Sequence, residues 1–560
     1  PAWKNGSYEK YKHMKFKITL LFLFLVISIT GFSQDWKVYP YLPTTSPVSE
    51  ISFPVDEGRH SDPVEWWYTS GHITTASNKK YSFMLTYFWY PVNVSSFNFD
   101  GFRILNLTDE SDGTFYQDTK AVNYTTLSTT DLDIEADLFG GGSEYWRNKV
   151  DGSSNLLPFE YELNASSASV SINFNLETVK RPLIVGGDGL FDHGLSNYTY
   201  YYSQTDNTVT GSLTVDGTTE TVTGSAWIDR QYGNFNPFTG EDYEWFSMQL
   251  DNGTDLNLWN IFTSSRTIPN DPKYKILSAY VDENQNTQYT ISDFEIERLE
   301  YFTTPDDVNT YSKKWRLTSA SKNIDLVITS NFETSEVNIT ELSFRFFEGA
   351  TTISGTIDGV SVTGVGFAEL LHKYENPGVS ITSPTGGVYT TSNPITWTLN
   401  NPDDGRPITY DLEYSIDNQS TFIPIATGLT TTSYTWDGAG ISNNDEVWFK
   451  IKSYSVDNTL TSEIVSSSSS TATLNTKDVF KNKLQFYPNP VNEELFFELQ
   501  KPLSNGQIEI IDINGAIIST SRIVSEDLKH RVNLQFLNSG FYFLKLESDA
   551  FNHIIKFVKL

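Results

Sequence analysis

The sharpest periodic signal in the chain is Tyr81-Ser-Phe83-Met-Leu85-Thr-Tyr87-Phe-Trp89, where five large residues recur at every second position. Period two sends those side chains to one side of an extended backbone, so the pattern predicts a β-strand with one strongly apolar face. Just before it, Glu65-Trp66-Trp67-Tyr68 sets three large aromatics side by side and runs on to Gly71-His72. Such a run exposes too much apolar surface unless at least two rings are buried, which predicts a place where a wall and a cavity meet. Shorter alternating runs follow at 131–135, 169–176, 198–203 and 210–215, bounded by turn residues such as Asp216-Gly217. They predict an antiparallel barrel, closed or nearly so, up to about residue 235. A second cycle opens at Glu244-Trp245-Phe246-Ser247-Met248-Gln249 and ends at Gly364-Val-Gly366-Phe-Ala-Glu369. Two packed barrels bury their joint, and ligand sites favour such junctions.

Composition fixes the class. Tyr and Phe number 31 and 37, Gly, Thr, Ser and Asn punctuate short runs throughout, and long segments of period 3.6 are missing, so the chain reads as all-β. Its 560 residues exceed what one core can organise and imply several domains. The net charge of −30 argues against a nucleic-acid partner or an anionic membrane surface and suits a neutral or lipophilic one. Cysteine is absent, which removes disulfides, a thiolate nucleophile and cysteine-ligated metals.

Residues 1–13 show no hydrophobic pattern, and Met14 reads as the initiator with an upstream, non-native or disordered stretch before it. Lys15 and Lys17 then precede an apolar run from 18 to 29, with Gly31 and Ser33 at the small-residue positions of a secretory cleavage site. The run is shorter than the roughly 20 residues of a membrane span. Residues 14–33 are therefore expected to be a cleaved signal peptide, with no integral span in the mature chain.

The motifs Gly58-Arg-His60, Glu65-Trp-Trp-Tyr-Thr-Ser-Gly-His72, Leu190-Phe-Asp-His-Gly194 and the Tyr198 run resemble the AttH-like family over about residues 50–375. That family includes carotenoid 1,2-hydratases (hydroxyneurosporene synthases), kievitone-hydratase-like proteins and pericyclase-type relatives. The resemblance implies two lipocalin-like antiparallel barrels packed together, residues 45–237 and 238–375. Beyond them, Ile395-Thr-Trp397, Tyr410-Asp-Leu-Glu-Tyr414, Tyr434-Thr-Trp436 and Val447-Trp448-Phe-Lys-Ile resemble a fibronectin type III sandwich, residues 376–465. The serine run 466–470 opens an expected flexible linker, 466–483. From Leu484 to Leu560, Phe486-Tyr-Pro-Asn-Pro490, Ile508-Glu-Ile-Ile-Asp-Ile-Asn514-Gly515 and Leu537-Asn-Ser-Gly540-Phe-Tyr542 resemble the C-terminal sorting domain of type IX secretion, a small β-sandwich. The implied location is the cell surface or the medium, and the implied partner is the type IX machinery.

Candidate chemistry centres on Gly224-Ser-Ala-Trp227-Ile-Asp229-Arg230-Gln231-Tyr232. On a strand, Trp227, Asp229 and Gln231 share one face and Ile228, Arg230 and Tyr232 the other. An aspartate beside an indole in an apolar cavity has a raised pKa and can deliver a proton to an alkene carbon, with aromatic faces shielding the cation. Asp229 is accordingly the expected proton donor, with Arg230 and Tyr232 beside it as catalytic candidates. Glu65, Trp66, Trp67, Tyr68, His72, Trp227 and Gln249 are the expected ligand-binding residues. Where hydratase-type members of the resembled family read Asp-His-x-Trp, this chain has arginine at 230, which cannot deprotonate. An ion pair or strand-end network is the structural alternative for Asp229 and Arg230. His60, His72 and His193 fit no metal-ligand spacing, and no metal or cofactor is expected. Three functions remain open: a secreted binder of a terpenoid, carotenoid or lipid-like ligand, a hydratase-like or isomerase-like enzyme acting on one, and a non-catalytic surface adhesion protein.

Overall fold

The computed structural model describes residues 36–94, 97–195, 198–234, 240–282, 286–474, 486–499, 506–523, 527–548 and 551–560, so the expected segments 1–13 and 14–33 lie outside it. The chain divides into two units, residues 1–374 and 375–560. Among the described residues every regular element is a strand except two three-residue 3-10 turns.

The first unit opens with β1 (Val64–Thr75), β2 (Lys80–Val94), β3 (Phe97–Asp109), β4 (Phe115–Leu127), β5 (Asp133–Leu138), β6 (Ser143–Val150), β7 (Leu156–Ser166) and β8 (Val170–Thr178). After the short β9 (Leu183–Ile184) and β10 (Leu190–Phe191) come β11 (Tyr198–Val215) and β12 (Thr218–Asn234). β1 to β8 pair in chain order, β12 pairs β1, and β11 pairs both β12 and β8, which closes a ten-stranded barrel. β11 serves both neighbours because it is bulged between Gln204 and Asn207: the half before the bulge pairs β9 and β10, the half after it pairs β8. The Asp216-Gly217 turn joins β11 to β12 with φ positive at both residues, as a two-residue hairpin requires.

The barrel's interior is filled rather than hollow. Trp67, Phe83, Leu85, Leu105, Trp146, Tyr161 and Phe174 pack into one core, and a buried ion pair lies among them. In that pair Arg103 Nη2 is 2.9 Å from Glu144 Oε1, and Tyr87 donates to the same carboxylate at 2.9 Å. The strand face left over, which carries Trp66, Tyr68, Met84, Phe88, Phe102 and Ile104, points outward.

That outward face meets a second sheet: β13 (Asp242–Leu250), β14 (Asp255–Phe262), β15 (Lys275–Asp282), β16 (Thr287–Ile291), β17 (Glu295–Thr303), β18 (Thr310–Ser319), β19 (Ile324–Ser330), β20 (Glu336–Ile339), β21 (Phe344–Ile357) and β22 (Val360–Leu370). Its order runs β16-β15-β14-β13-β22-β21-β19-β18-β17, with β20 beside β21, and no pairing among the described residues joins its two edges. The second half is therefore a half-barrel, where the sequence pattern suggested another barrel. One face packs its own core around Phe246, Leu258, Trp315 and Phe347, and the other lays Trp245, Trp259, Phe346 and Phe367 against the first barrel.

In the second unit, strands between Val379 and Thr473 form two sheets sharing a core of Tyr389, Trp397, Leu412, Trp436 and Phe449. The serine run expected to begin a linker instead turns between two strands of this sandwich. Ser466 and Ser470 are buried, and Ser470 pairs with Gly387, because small hydroxyl side chains fit tightly under a sheet. Residues 475–483 of the expected linker fall outside the described ones. Strands from Phe486 to Lys559 make a separate pair of small sheets around Leu495, Phe497, Ile510, Leu544 and Phe557. No helix among the described residues is long and apolar enough to cross a membrane.

Candidate functional site

Pairing registers settle which candidates meet. Tyr68 on β1 stands opposite Asp229 on β12, and Asp229 opposite Ser203 on β11, while Tyr68 faces Thr86 on β2. Directly paired residues share a face, so Ser203, Asp229, Tyr68 and Thr86 form a row across the barrel's outer surface. A second row faces it from the half-barrel, because Trp245 pairs Trp259 on one side and Glu369 on the other, and Glu369 pairs Glu348. Between the rows is a cavity of about 130 Å³, lined from the barrel by Trp66, Tyr68, Met84, Thr86, Phe88, Phe102, Tyr201 and Asp229 and from the half-barrel by Tyr243, Trp245, Trp259, Ile261, Phe344, Phe346 and Glu369. The cavity thus lies at the junction, and the filled barrel interior is not part of it.

Asp229 is buried, accepts a hydrogen bond from Trp227 Nε1 at 2.6 Å at one oxygen and from the Tyr201 hydroxyl at the other. Tyr201 in turn accepts from Asn257 Nδ2 at 2.8 Å, so β14 helps to fix the carboxyl's orientation. Burial pushes its pKa up to about 7, even though donors from Ser203, Tyr201 and Trp227 favour the charged form. Among the described residues Asp229 is held by Trp227 and Tyr201 and pairs with no arginine, whereas Arg230 pairs with Glu65.

Glu348 and Glu369 were not singled out from the sequence. They sit directly opposite each other on adjacent strands, where two charges would repel, and both are raised above the ordinary glutamate range, chiefly by burial. Burial, with the closeness of the second carboxyl, thus favours the protonated form in this pair. Tyr68 donates to Glu348 Oε1 at 2.8 Å and Tyr243 donates to Glu369, so each carboxyl is tied to a phenol of the cavity wall. Three buried carboxyls thus gather at one end of an aromatic cavity. The available signal was an acid at an inward position of an apolar strand, Phe346-Phe-Glu-Gly-Ala350 and Phe367-Ala-Glu369.

The remaining candidates lie elsewhere. Glu65, Trp67, Arg230 and Tyr232 point to the barrel's inner side, where they close one end. Arg230 pairs with Glu65, places its guanidinium 4.0 Å over Trp67, and donates to Gly58 O at 2.6 Å. Arg59 and the His60 amide also bind Glu65, whose pKa falls to about 2 because the two arginines and these donors outweigh its burial. Tyr232 stacks on His60 at 3.7 Å and donates to Asp56 at 2.7 Å. This is a structural plug, and it accounts for an arginine at position 230. Trp227 stands behind Asp229 and buttresses it. Gln249 donates to Thr205 O at 2.6 Å and lines a separate polar recess with Lys180, Asp251 and Asp255. His72 lies further along β1, with Nδ1 3.1 Å from Glu110. His193 does reach the cavity, edge-on to Trp259 at 4.7 Å, and burial lowers its pKa to about 4.

Residues 485–560 match the secretion system C-terminal sorting domain, which directs the chain through type IX secretion to the cell surface or beyond. Among solved structures the chain is similar to an AttH protein of Nitrosomonas europaea (21% identity, TM-score 0.49, 59% of this chain and 98% of that one). It is also similar to kievitone hydratase from Nectria haematococca (18% identity, TM-score 0.47, 60% of this chain and 98% of that one). No curated protein matches the sequence. The AttH-like family model matches residues 44–374, the barrel and half-barrel together, and the chain belongs to the AttH-like family.

Proposed function

We propose that the exported protein binds an apolar, unsaturated ligand of terpenoid, carotenoid or lipid-like character in the cavity between barrel and half-barrel, and acts on it as a hydratase-like or isomerase-like enzyme with Asp229 as proton donor. The observation that carries this reading is a carboxyl whose pKa is pushed up to about 7 in the wall of a largely apolar, aromatic-rich cavity. Such a group is partly protonated at neutral pH and can act as a general acid. In the forward step the Asp229 proton adds to one alkene carbon and the π electrons form the new C–H bond. The positive charge left on the neighbouring carbon faces the rings of Trp66, Trp245 and Phe88. Water then adds through oxygen to the cation and returns a proton to the carboxylate, or loss of a neighbouring C–H proton completes an isomerisation. Arg230 and Tyr232 serve this chemistry only by holding β12 against β1.

The test is a titration of the secreted chain with a polyene, read by quenching of its tryptophans, beside product analysis in ¹⁸O-labelled water. Saturable binding with label in the product supports both halves of the proposal. Binding without label or isomerised product makes the protein a carrier, and absence of any saturable binding leaves the adhesion reading in its place.

A further inference from the structure

We propose that the polar stripe down the outer face of β1, from Tyr68 through Ser70 to His72, holds a chain of buried waters that passes protons between solvent at Glu110 and the Glu348–Glu369 carboxyl pair. Along this stripe the structure collects buried polar atoms that no protein group satisfies: Ser70 Oγ, Ser82 Oγ, Thr86 Oγ1, both polar atoms of the Asn106 amide, His72 Nε2 and Glu348 Oε2. Their grouping follows from register. His72 pairs with Ser82, Ser70 with Met84, Met84 with Asn106, and Tyr68 with Thr86, so these lie on one face of three adjacent strands, and Glu348 reaches them from the half-barrel through Tyr68. An orphaned buried donor or acceptor costs about 1–3 kcal/mol, and seven in one patch exceed what a domain of ordinary stability tolerates. Clustered groups of this kind are ordinarily satisfied by internal water.

Both ends of the stripe are suited to proton exchange. Inside, Tyr68 donates to Glu348 at 2.8 Å, and Glu348 faces Glu369 across the strand pair. Outside, His72 turns Nε2 into the protein, while Nδ1 lies 3.1 Å from Glu110, with about a fifth of each side chain exposed. Phe367 covers the His72 ring from the half-barrel at 5.4 Å, so solvent reaches it from the Glu110 side. A proton from a stripe water can enter at Nε2 as another leaves Nδ1 for Glu110. Each transfer breaks one O–H or N–H bond and forms one, and nothing is oxidised or reduced. This gives His72 the role of a positioning and relay residue rather than a ligand contact.

The inference needs the carboxyl pair to hold a proton, which rests on the site described above, but it needs no ligand. The experiment is infrared spectroscopy of the full chain transferred into D₂O. A buried protonated carboxyl gives a C=O band apart from the carboxylates, Glu348→Gln identifies it by its loss, and its downshift reports the exchange rate. His72→Phe and Asn106→Leu should each slow the downshift by about tenfold or more while circular dichroism stays unchanged, and Ser82→Val replaces either variant that does not fold. A crystal structure should place ordered waters within hydrogen-bonding reach of Asn106 and Ser70. Equal exchange rates in wild type and variants, or a dry patch in which these side chains turn to bond one another, overturns the proposal. Failure of polyene binding leaves it standing, and unaltered exchange leaves the binding reading standing.

Discussion

Replacing Asp229 by asparagine should stabilise the protein in alkaline solution. In the unfolded chain this carboxyl ionises at its ordinary value of 3.8, whereas burial raises it to about 7 in the fold. Below about pH 4 it is neutral in both states and contributes nothing to the pH dependence. As pH rises towards 7 the unfolded state releases its proton first, so stability falls, and above 7 the full cost persists. Each tenfold in proton affinity is worth about 1.4 kcal/mol, which sets the full cost at about 4 kcal/mol. Between about pH 5 and pH 8.5 the part lost is roughly 3 kcal/mol. Asparagine keeps the shape and can keep its oxygen towards Trp227 Nε1, while the Tyr201 hydroxyl rotates to accept from the new amide. Other raised groups, Glu57 at about 7 and Asp255 at about 6, are common to both proteins and cancel in the comparison. Urea unfolding followed by tryptophan fluorescence at the two pH values gives the difference directly. A wild-type-to-variant gap that stays constant within about 0.5 kcal/mol across that range refutes the buried, neutral carboxyl, and with it the proton donor.

Arg230→Met should lower stability by about 3–5 kcal/mol at neutral pH, because it strips one partner from the buried Glu65 and orphans the Gly58 carbonyl, with thermal melting as the check. Asp229→Asn should cut product formation by about 10²-fold while polyene affinity stays within a factor of about three, measured by labelled-water turnover and fluorescence titration. Trp245→Ala removes an indole from the cavity wall and should weaken polyene binding by about tenfold or more in the same titration. Mass spectrometry of the culture should recover a chain beginning near Gln34 and lacking the sorting domain from about residue 485.

The alternation along β1 and β12 was legible in full. Trp227, Asp229 and Gln231 do share a face, and the Asp216-Gly217 turn that sets the register was readable as a hairpin. What alternation cannot say is which face is the barrel's inside. β1 opens with aromatic rings on both sides because one side fills the barrel and the other meets the half-barrel, so Trp66 and Trp67 looked alike although only the first reaches the cavity. Alternation already sends Arg230 to the face opposite Asp229, but it does not name a partner there, and that partner is Glu65 on the adjacent strand. Glu348 and Glu369 escaped notice for a related reason. Each is an unremarkable acid in its own strand, and only the pairing of β21 with β22 brings these two positions, some twenty residues apart in sequence, face to face. Gln249 faces Thr205 and the polar recess, a position set by packing between sheets that local pattern does not encode.

A closed ring and an open sheet differ in compliance. The ring's hydrogen bonds run without an edge and its middle is packed solid, so the wall carrying Asp229 and Tyr68 can yield only by unfolding. Among the described residues the opposite wall ends in edges at β16 and β17 that pair with no further strand, and it can flatten or curl without losing a ladder. If a ligand binds between them as proposed, its girth would be gauged by the flexure of one jaw against a fixed anvil, not by a bore. Substitutions along the half-barrel's edges would then retune which molecules are admitted while the acid on the anvil keeps its place.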